Sequence, residues 1–282
     1  MNFILIEKFR NNLAKAMLAF MMITMVIAGT GVFKPTMGIE FTGGVSYSLS
    51  APISDSKAEF DGMEGVTVSG NTSSSTVNMI SDSDLTEKQL AFLNHHSLSR
   101  DTIGASLGNE LVEASLFGMG LAFLGVMLYL SFRYNSVMAV STLVALVHDV
   151  VFTGLVLTLL GVEISSIVVG ALLAIIGYSI NDSVVTLDRV RELIREEDED
   201  PVNNALQMTL RRNIITAVST LIVIVALFLF GGEAMYAFSI TMLAGVGVGM
   251  FSSLTIVPYL VSLNKKGGAF NITKAPSPEG EL

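Results

Sequence analysis

Residues 170–189 read Gly-Ala-Leu-Leu-Ala-Ile-Ile-Gly-Tyr-Ser-Ile-Asn-Asp-Ser-Val-Val-Thr-Leu-Asp-Arg. The run begins as an apolar helix fit for a membrane and then places Asn181 and Asp182 within it. An acid at that depth costs about 2.5 kcal/mol or more. Nothing in helix formation requires it, so the reading is functional, with a partner on another helix. The plainer alternative puts Asp182 near the cytoplasmic end of the helix, wet and idle. Tyr178, Asp182 and Val185 fall at i, i+4 and i+7 and share a face. Gly170, Ala174 and Gly177 also share a face, and are small enough to let a neighbouring helix approach closely.

The rest of the composition agrees with a membrane setting. Of 282 residues, 51% are hydrophobic and only 15% charged, with mean hydropathy +0.63. This points to a polytopic membrane protein rather than an ordinary soluble domain. Cysteine is absent, which excludes disulfides, thiolate metal sites and a cysteine nucleophile. Trp is absent too, so Tyr and Phe must serve as interfacial aromatics. A net charge of -9 argues against nucleic acid as a partner.

The expected architecture is a polytopic α-helical membrane protein. Six transmembrane helices carry one small α+β, ferredoxin-like extracytoplasmic domain between helices 1 and 2. Residues 1–33 are read as a cytoplasmic N-terminus and a first helix from Ala16 to Phe33, retained rather than cleaved as a signal peptide. Residues 34–111 form the outer domain. Val45, Tyr47 and Leu49 alternate with small and polar residues as in a strand. Val66 to Val68 and Thr76 to Ile80 read as two more strands around a turn at Gly70 to Ser75. Helices are expected near Ser56 to Met63 and from Leu85 to Leu93, the second capped by Ser83 or Asp84. His95 and His96 are read as solvated surface histidines, since no third ligand sits at metal spacing.

Residues 112–263 hold helices 2 to 6, at 112–132, 137–160, 165–187, 214–230 and 236–263. A cytoplasmic hairpin over 188–213 has an acidic turn, Glu196 to Asp200, with Asp200 and Pro201 opening a second short helix. Residues 264–282 are expected to be disordered. Basic residues set the orientation. Lys8, Arg10, Lys15, Arg133, Arg189, Arg191, Arg195, Arg211, Arg212, Lys265, Lys266 and Lys274 all fall in alternate loops or tails. The loops at Gly161 to Ile164 and Gly231 to Ala234 have none. Both termini are therefore expected in the cytoplasm and the 34–111 domain outside.

Several polar residues interrupt the later helices. Arg212 opens helix 5 at the cytoplasmic level of Asp182. An Arg beside a carboxylate holds it ionised, and withdrawing the Arg lets it take a proton. The pair Asp182 and Arg212 is thus either an ion relay or a static pair that fixes packing. His148, Asp149, Asn181 and Tyr178 extend that relay or merely pack; for His148 and Asp149 packing is favoured. Gly245-Val246-Gly247-Val248-Gly249 permits a close helix crossing and lies in a span, so a dinucleotide role is excluded. No zinc-protease, nucleophile-elbow or phosphate-loop motif is present, and the chain is read as no enzyme.

Residues 176–192, Ile-Gly-Tyr-Ser-Ile-Asn-Asp-Ser-Val-Val through Asp188-Arg189-Val190-Arg191-Glu192, resemble the fourth-helix motif of the SecF family of protein-export membrane subunits. Gly38-Ile39-Glu40-Phe41-Thr42-Gly43-Gly44 is similar to the family's Gly-Gly motif after helix 1, with Glu40 where many members have Asp. Ile103 to Leu111, Val147-His148-Asp149-Val150, Arg212-Asn213-Ile214-Ile215-Thr216 and Phe230-Gly231-Gly232 follow in the family's order, Asn213 being a departure. The resemblance implies half of an RND-like assembly. It implies SecD as partner, a SecY-type translocon beside it, and exported polypeptides in transit as the molecules handled. It implies no cofactor, only an ion gradient, proton or sodium. The relay residues map onto Asp182 and Arg212, and Gly38, Glu40, Phe41, Gly43 and Gly44 mark the entry to the outer domain. The alternative is an RND-like exporter half for small or lipidic molecules.

Overall fold

The computed structural model describes residues 3–30, 35–60, 62–63, 65–70, 74–80 and 85–267. It begins with helix α1 (Phe3–Gly29) and a four-residue helix α2 (Ile39–Thr42). The sheet domain follows as β1 (Gly44–Leu49), α3 (Ile53–Phe60), β2 (Val66–Gly70), β3 (Ser75–Met79), α4 (Glu87–His96) and β4 (Ser97–Ile103). Then come α5 (Ala105–Arg133), α6 (Ser136–Leu159), α7 (Ser166–Arg195), α8 (Pro201–Phe230) and α9 (Gly232–Gly267). Among the described residues, six helices are long and apolar enough to cross a membrane: α1 and α5 to α9.

The sheet is antiparallel in the order β2-β3-β1-β4. With the two helices this makes the split β-α-β, ferredoxin-like pattern. Val45, Tyr47, Leu49, Val77 and Met79 point to one face and pack with Phe60 of α3 and Leu93 of α4. The period of two puts Ser46, Asn78 and Thr67 in one row on the other face. Chain entry needs a backbone that few side chains tolerate: Gly44 has φ +132, and a Cβ there would collide with the Met79 carbonyl.

In the helical part, α9 packs against α6, α7, α8 and α1. One apolar cluster joins Leu130, Met138, Leu187, Val190, Val202 and Ile256 at the end away from the sheet. Another joins Leu157, Val168, Leu172, Ile175, Ile224 and Val246 nearer to it. Since lipid is as apolar as these side chains, close packing rather than burial holds the helices together. The closest approach is at Gly245, where a Cβ would overlap the Ile175 side chain of α7. By contrast, a Cβ at Gly247, Gly170 or Gly177 would meet nothing within 4 Å. The small-residue face of α7 is thus uncovered in this chain.

Several boundaries differ from the expectations. The polar residues before Ala16 continue α1 as helix rather than precede it. At 30 residues each, α7 and α8 are about 45 Å long, well beyond a ~30 Å hydrocarbon core. The expected hairpin is therefore the projecting ends of two continuous helices, not separate short ones. Asp200 does precede Pro201, but its side chain makes no capping bond and instead accepts from Asn203 Nδ2 at 2.5 Å. Helix α4 starts later than expected, because Thr86 and Gln89 form a reciprocal capping box. The expected caps Ser83 and Asp84, residues 31–33 of helix 1 and the tail over 268–282 lie outside the described residues. Strand β4 went unforeseen.

Candidate functional site

Helix α7 carries a polar stripe. Ser179, Asp182, Ser183 and Thr186 fall at i, i+3, i+4 and i+7, and each is at most 2% exposed. The stripe turns inward: Ser179 faces α6 and α9, while Asp182 and Thr186 face α8. Thr186 shares a hydrogen bond with Thr209 of α8 at 3.3 Å and accepts one from Asn213 Nδ2 at 3.2 Å.

Two members are under-satisfied. Among the described residues, Asp182 Oδ2 and Ser183 Oγ are buried with no hydrogen-bond partner. Asp182 Oδ1 meets Thr216 Oγ1 of α8, at 3.5 Å. That hydroxyl has a single hydrogen and two nearer acceptors, the carbonyls of Asn213 at 2.9 Å and Arg212 at 3.1 Å. A buried charge without donors is costly. What would complete this carboxylate is a proton of its own, which Thr216 Oγ1 is placed to accept, or a small cation.

Arg212 lies one turn before Thr216 on α8 and is exposed. Among the described residues no ion pair or hydrogen bond joins it to Asp182. Arg212 lines an open cleft of about 460 Å³ with Val185, Asp188, Arg189, Glu192, Met208 and Thr209. Thr209 is both a wall of this cleft and the partner of Thr186. The α7 stripe therefore leads from Asp182 to the cleft by way of Thr186, Thr209 and Asn213.

Asp188 anchors the mouth. It accepts from Tyr134 Oη at 2.9 Å and pairs with Arg133 at 3.1 Å. Burial pushes the Tyr134 phenol above its ordinary range, and its bond to Asp188 adds to this. The hydroxyl stays a donor. Arg189 pairs with Glu192, and Arg191 donates to the Arg133 carbonyl at 3.0 Å.

The other expected residues divide into three groups. Tyr178 is half-buried, and among the described residues its buried hydroxyl has no hydrogen-bond partner. Asn181 is exposed and continues the uncovered face of Gly170, Ala174 and Gly177. His148 and Asp149 are buried together on α6, in a separate cluster with Ser179 and Ser252. The entry motif reaches the start of α7: Gly38 N donates to Ile164 O at 2.9 Å, and Glu40 Oε2 accepts from Ser166 N at 2.7 Å. Phe41 is buried, and Gly43 and Gly44 both take positive φ. His95 is exposed while His96 lies against Phe92, ring centres 4.7 Å apart. No cluster of three His, Asp or Glu able to hold a metal occurs among the described residues.

Sequence reasoning missed Thr216, Thr186, Thr209, Ser179 and Ser252. Hydroxyls are frequent in membrane helices because each can bond the carbonyl one turn back, as Thr209 does to Ala205 at 2.9 Å. The usable signal was the spacing of Ser179, Ser183 and Thr186 around Asp182.

The family model described as "Protein export membrane protein SecD/SecF, C-terminal" matches residues 84–266. The chain is 39% identical over 176 residues to the protein translocase subunit SecF of Prochlorococcus marinus, covering 60% of this chain and 55% of that protein. It is 32% identical over 252 residues to the SecF of Haemophilus influenzae, covering 81% and 78%. The crystal structure of SecDF from Thermus thermophilus, a translocon-associated membrane protein, superposes with a TM-score of 0.76 at 28% identity. It covers 94% of this chain, while this chain spans 39% of that one. The match thus spans about half of the Prochlorococcus protein and a smaller part of the Thermus chain.

Proposed function

This chain belongs to the SecD/SecF family of protein export membrane proteins, and on that premise we propose that it is an accessory subunit of the Sec protein-translocation machinery. With SecD it uses a transmembrane ion gradient, proton or sodium and no cofactor, to promote export of unfolded chains beside a SecY-type translocon. Its work is mechanical, not enzymatic.

The observation that carries this reading is Asp182: an acid 2% exposed within a six-helix membrane domain, one oxygen without a hydrogen-bond partner among the described residues. An open oxygen on a buried acid leaves room for an ion to bind and leave. Arg212 fits a modulating role because it stands at the cleft and its carbonyl accepts from Thr216, the residue that meets Asp182. Ions would pass between the cleft and Asp182 along Thr209, Asn213 and Thr186.

The basic residues at the cleft end support a cytoplasmic location for both termini, with the sheet domain outside. The face of Gly170, Ala174, Gly177 and Asn181 fits a helix of SecD. Small residues permit close contact, and a membrane-depth amide needs a polar partner.

The test is export in cells. Asp182→Asn and Arg212→Met should each slow clearance of secretory precursors at unchanged protein level. Normal clearance in the Asp182→Asn strain would overturn the reading.

A further inference from the structure

A second buried acid lies outside the Asp182 site. Asp149, midway along α6, is 1% exposed. Its Oδ2 accepts from Ser179 Oγ of α7 at 2.6 Å and from Ser252 Oγ of α9 at 2.9 Å. Its Oδ1 faces His148 Nδ1 at 3.1 Å. His148 is equally buried, and its Nε2 has no hydrogen-bond partner among the described residues. Gly249 of α9 closes the cluster, since a Cβ there would stand 3.4 Å from Asp149 Oδ2 and from Ser179.

We propose that Asp149, with His148, is a second proton-holding site of this membrane domain, linked to Asp182 through Ser179. The inference rests on the ion-driven reading above and adds a site to it.

Three features of the cluster carry it. The first is Ser252. Its hydroxyl has two acceptors within reach, Asp149 Oδ2 at 2.9 Å and the Gly249 carbonyl at 3.1 Å, and only one hydrogen. When Asp149 is ionised, that hydrogen points at Oδ2. When a proton binds Oδ2, the hydroxyl turns its hydrogen to Gly249 O and accepts from the new acid O–H through a lone pair. One O–H bond forms, Ser252 keeps its own hydrogen, and no heavy atom moves.

The second feature is the imidazole. Nδ1 abuts the carboxylate and Nε2 is unfilled, so the ring can gain a proton at one nitrogen and lose one from the other. The third is the lack of a fixed counter-charge. Among the described residues, no charged side chain of α1, α5, α7 or α9 bonds to Asp149. The titratable groups next to Asp149 and its partners along the chain are His148 on its own helix, Tyr178 beside Ser179, and Asp182 three residues beyond Ser179. The charge of the cluster is thus set by its protons. Because Ser179 and Asp182 share one face of α7, a shift of that helix when Asp182 changes charge alters the Ser179 bond to Asp149.

Infrared difference spectroscopy, acid minus alkaline, on the chain purified with SecD in lipid tests this. A protonated-carboxyl C=O band should be lost in Asp149→Asn and persist in Asp182→Asn. Ser252→Ala should shift that band in frequency, which keeps the test open if Asp149→Asn fails to fold. A band pattern unchanged by both Asp149→Asn and Ser252→Ala would overturn the proposal and leave Asp149 a permanently ionised packing link. The Asp182 reading is judged separately, by precursor clearance, whatever the infrared result at Asp149.

Discussion

Asn78 of the sheet donates a hydrogen bond to Glu163 of the α6–α7 turn at 2.6 Å. The same carboxylate accepts from Thr67 in the neighbouring strand at 2.5 Å, and Ser46 supports Asn78 from the third strand at 2.6 Å. A few residues on, Glu40 caps the first amide of α7. The sheet domain is therefore fastened to the start of the helix that carries Asp182, 16 residues and about 24 Å further along.

Replacing Glu163 should loosen this fastening. Glu163→Ala removes two charge-assisted bonds, each worth roughly 1.5–3 kcal/mol when buried and less at this half-buried position. Glu163→Gln keeps one acceptor and should fall between. Amide hydrogen exchange across 35–38 and 163–166 should rise in the order wild type, Gln, Ala. Equal exchange in all three would show that the docking does not depend on this residue.

Gly245→Ala should destabilise the helical domain by about 1–3 kcal/mol, because the added carbon meets the stiff Ile175 side chain. The double variant Gly245→Ala with Ile175→Ala should recover part of that loss. Thermal unfolding in detergent reads both. Simple additivity of the two changes would mean that the crossing is not limiting.

Gly177→Leu and Asn181→Leu should reduce copurification with SecD while the chain's own unfolding temperature stays near wild type. The basis is that nothing in this chain lies within 4 Å of a Cβ at Gly177, and Asn181 is exposed. A loss of stability without a loss of SecD would refute the assignment of this face.

Thr216→Val preserves shape but removes the hydroxyl that meets Asp182 Oδ1. Export should slow several-fold, and Thr216→Ser should restore it. If Val and Ser behave alike in a precursor-processing assay, the hydroxyl takes no part.

The long apolar runs and the alternation in Val45, Tyr47 and Leu49 were legible because each answers to a local period. Strand β4 was not. In Ser97 to Thr102 every side chain is exposed, so no buried face imprinted a pattern. The segment is a strand because β1 presents it an open edge, in register from Gly44 opposite Ile103 onward. The start of α4 was misjudged for a related reason. Ser83, Asp84 and Thr86 are all plausible caps, and the bond back from Gln89 selects Thr86. The serine partners of Asp149, Ser179 and Ser252, were not legible because they lie 30 and 103 residues away.

By itself the sequence determined the number of crossings, the polarity of the loops and the presence of a costly acid in helix α7. Those follow from composition summed over 20 residues or from single charges, which need no knowledge of neighbours. Only the tertiary structure decided that Asp182 meets Thr216 rather than Arg212, that Asp149 gathers two serines, and that Gly177 stays bare while Gly245 is pressed against Ile175. These depend on the rotation and crossing of whole helices, which arise from packing summed over many distant residues and leave no periodic trace along the chain.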